Sequence, residues 1–119
     1  MKKSTICFLL SVFGMSSAFA HHGLGLYDTS QLIEIHGKVV SVRLMDPHSV
    51  LVVETESADG TTIQWDVEGG SAAGIVASGL TQEFLRSGPT VHIEGFRAKD
   101  DSCTPRCRVA GENFDFERN

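Results

Sequence analysis

The sequence predicts an all-β fold with one short helix: a small five-stranded OB-like barrel in the order β-β-β-α-β-β. Three observations lead there. Apolar residues alternate in short runs between turn signals, which is the two-residue period of strands. One helix-like stretch, opened by a serine suited to capping, follows the third run. The length allows a single modest core. A helix between the third and fourth strands is the order of the five-stranded OB barrel. An immunoglobulin-like sandwich would need about seven strands and no helix.

The first strand runs from Leu32 to Leu44. Ile33, Ile35 and Val39 share one phase, while Val40, Val42 and Leu44 are apolar on neighbouring positions, as in a strand contacted on both faces. Gly37 within it predicts a bulge or sharp bend. Asp46-Pro47 ends it. His48 to Glu56 is a second strand rich in β-branched residues. Ala58-Asp59-Gly60 is a hairpin signal, and Thr61 to Val67 returns with Ile63, Trp65 and Val67 on one face. Ser71 caps a short helix through Ala77, with Gly79 as its stop, and Thr81 opens another helical turn. Ser87-Gly88-Pro89 turns the chain into a fourth strand, Thr90 to Arg97, and Arg108 to Glu117 makes the fifth.

The N-terminus predicts the compartment. Met1-Lys2-Lys3 is a basic start, Ile6 to Phe13 an apolar core, and Ala18-Phe19-Ala20 the small-x-small pattern that signal peptidase reads. The apolar stretch is too short to span a bilayer, which takes roughly 20 apolar residues. Residues 1–20 therefore read as a cleaved leader, with residues 21–119 forming one periplasmic or secreted domain of 99 residues. Losing Lys2 and Lys3 leaves 8 basic residues against 15 acidic ones, a formal charge of −7. A nucleic-acid partner needs a clustered positive stripe, and none is present. In an oxidising compartment Cys103 and Cys107 most simply pair as a disulfide.

Chemistry concentrates in the histidines. His36 and His92 read as ordinary strand residues, and His48 opens a strand at the mouth of a loop. Cleavage after Ala20 would give His21 both a free α-amine and an imidazole. The amine has a pKa near 8, so a metal can displace its proton close to neutrality. Amine and ring together chelate one ion, with His22 or His48 as a further donor. Such nitrogen-rich tetragonal sets suit copper. The metal candidates are therefore His21, His22 and His48, with Asp46, Trp65 and Glu68 as neighbouring or pocket residues. The same two histidines also read as a flexible polar terminus. Catalysis is not expected: Gly69-Gly70 lacks the lysine of a phosphate loop, no G-x-S-x-G is present, and a small barrel offers little room for paired carboxylates around a substrate. The competing reading is a metal-free barrel module that binds a protein or small ligand.

His21-His22-Gly23, Tyr27-Asp28, Gly37-Lys38-Val39, Asp46-Pro47-His48-Ser49 and Trp65-x-x-Glu68-Gly69-Gly70-Ser71 together resemble a family of small exported bacterial proteins known as domain of unknown function 6152. Gly23 stands where the family pattern has Ser, Asp46 where it has Asn, and Pro89 where it usually has Asp. The resemblance implies that His21, His22, His48, Trp65 and Glu68 share a site. It implies no activity.

Overall fold

One long strand, Tyr27–Arg43 (β1), organises the computed structural model, which describes residues 24–101 and 103–118. The strands Val50–Glu56 (β2) and Thr62–Glu68 (β3) follow, then two short helices, Ala72–Ala77 (α1) and Gln82–Arg86 (α2). Thr90–Ala98 (β4) and Cys107–Phe116 (β5) complete the chain. β1 pairs antiparallel with β4 along its first part and with β2 along its second. β5 pairs antiparallel with β4 and parallel with β3, so the sheet closes in the order β1-β2-β3-β5-β4. The expected OB-like barrel is therefore present. The helical turn at Thr81 is a helix in its own right, so two short helices stand where one was expected.

Local chemistry explains the joints. In the β2–β3 hairpin Asp59 Oδ1 accepts the Thr61 N–H at 2.9 Å, and Gly60 adopts φ of 83°, a value that costs glycine little. That bond also holds the Asp59 carboxyl below its ordinary pKa. Ser71 Oγ accepts the Gly74 N–H at 3.1 Å, and Thr81 Oγ1 accepts the Phe84 N–H at 3.0 Å, each satisfying a free donor of its helix.

The strands begin and end close to expectation, with two instructive differences. β1 starts at Tyr27 rather than Leu32, because Tyr27 pairs with Ala98 across an irregular stretch of polar residues that carries no apolar alternation. The bulge expected at Gly37 falls instead between Val39 and Ser41. It shifts the inward phase by one residue, so Val39 and Val42 are both buried while Val40 is half exposed. That explains the two apolar phases of the first strand. Gly37 serves a different end: a Cβ there would overlap the carbonyl of Glu54, which the paired strand β2 brings beside it.

The barrel interior is filled by Ile35, Val39, Val42, Leu51, Val53, Val67, Val91, Ile93 and Val109, and Leu85 of α2 packs among them. Each such side chain contributes roughly 1.5–3 kcal/mol by leaving water. A second, smaller cluster of Tyr27, Ala98 and Ala110 lies with Leu24 and Phe96 against it. Ala110 follows the core residue Val109 and so faces the opposite side of β5. The segment from Leu24 is thereby laid across the outside of the barrel.

Candidate functional site

The loop between β1 and β2 is stitched to the junction of β3 and α1. Ser49, 1% exposed, donates its N–H to the Gly70 carbonyl and accepts the Gly69 N–H, both at 2.8 Å. Its hydroxyl bonds to the Met45 N–H and carbonyl, and the Ala72 N–H reaches the Met45 carbonyl. These bonds fix the residue before Ser49 beside the end of β3. His48 Nδ1 consequently stands 3.7 Å from Glu68 Oε1. The other carboxylate oxygen, Oε2, accepts the Tyr27 hydroxyl at 2.7 Å. Burial first, and then the bond to Glu68, push the Tyr27 phenol well above its ordinary pKa. Tyr27 therefore stays a donor and Glu68 an acceptor.

This trio has a definite chemical sense. A carboxylate facing one ring nitrogen of a histidine sets the ring's orientation and leaves the lone pair on the other nitrogen for a ligand. The His48 side chain is half exposed. Tyr27 fixes the carboxylate from the opposite side and ties the chain near its N-terminus to the same spot.

The structure brings together His48 and Glu68 from the residues the sequence singled out. Asp46 is exposed and makes no hydrogen bond or ion pair among the described residues. Trp65 lies on the other face of β3 from Glu68: its indole N–H donates to Thr55 Oγ1 at 3.1 Å, and the Arg97 guanidinium sits over its ring. Cys103 and Cys107 are bonded, beside Arg97. His21 and His22, with the expected leader, lie outside the described residues. Among the described residues no three His, Cys, Asp or Glu side chains converge as a metal ligand set. The guanidiniums of Arg106 and Arg108, a basic pair among the described residues, are engaged by Asp66 and Asp100. No helix among the described residues is long and apolar enough to cross a membrane.

Two features escaped the sequence. Tyr27 was marked only by the Tyr27-Asp28 motif, since nothing local says that its hydroxyl reaches a strand 41 residues away. His36 and His92, read separately as strand residues, are register partners across β1 and β4.

The family model of DUF6152, a family of unknown function, matches residues 9–106. The chain belongs to that family. No curated protein matches this DUF6152 member. Among solved structures, a chain in the crystal structure of the S. pombe Stn1-Ten1 complex is similar with a TM-score of 0.43 and 15% identity. The alignment covers 74% of this chain and 59% of that one, so the DUF6152 chain spans 59% of the length of the neighbour it matches.

Proposed function

We propose that the mature chain is an exported binding module, not an enzyme, that holds copper in the periplasm or secreted space through His48 and the N-terminal His21 and His22. The observation that carries this reading is the Glu68 carboxylate, shared between the Tyr27 hydroxyl and His48 Nδ1. A carboxylate at that position, a fraction of an ångström beyond hydrogen-bond distance, can orient the ring of a metal-bound imidazole. It also supports the approach of the terminus. Leu24 packs with Tyr27 and Ala110, and Ala110 is the register partner of Glu68 on β3. Any three-residue stretch of chain spans at most about 10 Å, which sets the reach of the His21 amine and ring from Leu24.

The test uses chain processed after Ala20, with its N-terminus verified by mass spectrometry, titrated with Cu(II) and Zn(II). Copper binding tighter than micromolar is expected. It should weaken at least roughly tenfold in Glu68→Gln, the usual effect of losing a carboxylate behind a ligand. His48→Ala and a one-residue N-terminal extension should each weaken it further. Tight binding that survives both of the latter changes rules the reading out.

A specific observation favours a second reading, a metal-free module for a small ligand. A cleft of about 340 Å³ opens beneath α1, lined by Leu51, Ile75, Leu80, Leu85, Phe114 and Phe116 with Glu112 and Asn113 among its polar residues. Pockets of roughly 300 Å³ and more with an apolar lining suit small molecules. Methyl shifts of Leu51, Ile75 and Leu85 on addition of small apolar compounds, without any copper affinity, decide for this reading.

A further inference from the structure

His36 of β1 and His92 of β4 stand directly opposite each other, their ring centroids 6.4 Å apart. Their strand neighbours Ile35 and Ile93 point into the core, so both imidazoles are on the outer surface, with side chains 65% and 41% exposed. Each ring has a carboxylate at one nitrogen. His36 Nε2 lies 3.5 Å from Glu117 Oε1, and His92 Nε2 lies 3.5 Å from Glu34 Oε2. A carboxylate only accepts, so these contacts favour the neutral tautomer with its proton on Nε2, the form whose Nδ1 can take a ligand.

We propose that His36 and His92 form a surface site for a divalent transition ion, Cu(II) or Zn(II), bound through the two Nδ1 atoms, with Glu34 and Glu117 orienting the rings. The site is separate from the one built on His48 and does not depend on cleavage of the leader. Two imidazoles supply two ligands and water completes the set. A tetrahedral ion with metal–nitrogen bonds of about 2.0–2.1 Å places two ring centroids about 5 Å apart. Exposed rings at 6.4 Å reach that by a small side-chain rotation. Glu94 and Asp115, in register beside the pair, add negative charge that favours a cation. An ion here would also tie β1 to β4, the seam that closes the barrel.

The sequence holds five histidines, so a mature chain with His21, His22 and His48 all changed to Ala leaves this pair alone. Titrated with Zn(II) and Cu(II), that chain should bind one equivalent in the micromolar range. Both remaining imidazoles should shift together in the NMR spectrum, and the melting temperature should rise with metal. His36→Asn or His92→Asn, exposed changes that leave the metal-free melt unmoved, should each weaken binding roughly tenfold or more, and Glu34→Gln with Glu117→Gln should weaken it similarly. Absence of saturable micromolar binding, or affinity indifferent to either Asn change, overturns the proposal. Because the His48 site is already disabled, neither result bears on it.

Discussion

Tyr27 shows how much a single side chain can link in this protein. Its ring belongs to the outer apolar cluster, while its hydroxyl ends on the carboxylate that faces His48. The folded state raises its pKa, so below the ordinary phenol value of about 10 both folded and unfolded chains keep the proton. Above that value the unfolded chain ionises first, and stability is lost as pH rises. Tyr27 is the only tyrosine, so phenolate absorbance reads it alone. The expected titration midpoint lies clearly above 10, moving down in Glu68→Gln; a midpoint at the ordinary value would mean that the ring is neither buried nor bonded to Glu68, and one unmoved by Glu68→Gln that the bond does not form. Glycines give a second residue-scale test. A Cβ on Gly37 would overlap the Glu54 carbonyl and one on Gly95 the Ala110 carbonyl, backbone atoms that cannot swing aside. Gly37→Ala and Gly95→Ala should each cost about 1–3 kcal/mol in urea unfolding. Gly70→Ala, whose Cβ meets nothing within 4 Å, should be near neutral. The glycine at position 37 was conspicuous in the sequence, but its cause was not: the close approach of the β2 backbone at Glu54 is a long-range fact, whereas a bulge is the local guess.

At the level of elements, the two helices differ in what they are attached to. No residue of α1 is buried, and Gly74 sits in its middle, whereas α2 carries Leu85 into the core. Removing a serine or threonine cap costs about 1 kcal/mol of helix stability. The global consequence depends on coupling to the barrel. Thr81→Ala should therefore lower the unfolding free energy measured in urea by about 1 kcal/mol. Ser71→Ala should leave that free energy nearly unchanged and show instead as greater local exchange of the Gly74 amide. Equal shifts from the two changes would mean that α1 is held as firmly as α2. Both caps were legible in advance, since a hydroxyl residue three positions before the donor it satisfies is a local pattern. The start of β1 was not. Asp28, Thr29, Ser30 and Gln31 are polar and exposed, and they belong to a strand only because Tyr27 finds Ala98 on β4.

Across the whole molecule, the order of strands and helices could be read from alternation and turns, but closure could not. The parallel contact of β3 with β5 pairs Trp65 with Cys107 and Glu68 with Ala110, positions some forty residues apart with no local signature. The same limit applies to the sites. His48 and Glu68 were legible because both sit where a strand meets a loop. The pairing of His36 with His92 depends on the register between β1 and β4, which no single segment contains. Register also determines how the barrel comes apart. β1 belongs to both halves of the sheet, pairing with β4 up to Lys38 and with β2 from Lys38 onward. Opening it exposes Ile35, Val39 and Val42 together, so its amides can exchange only when the core is lost. Hydrogen exchange should then place the slowest amides at Ile35, Val53, Val67, Ile93 and Val109, all sharing one opening free energy equal to global unfolding. The amides of α1 should open independently and faster, because none of its own side chains is buried and only Ile75 packs on the core. Slow exchange in α1 matching that of β1 would show that α1 is released only when the barrel unfolds.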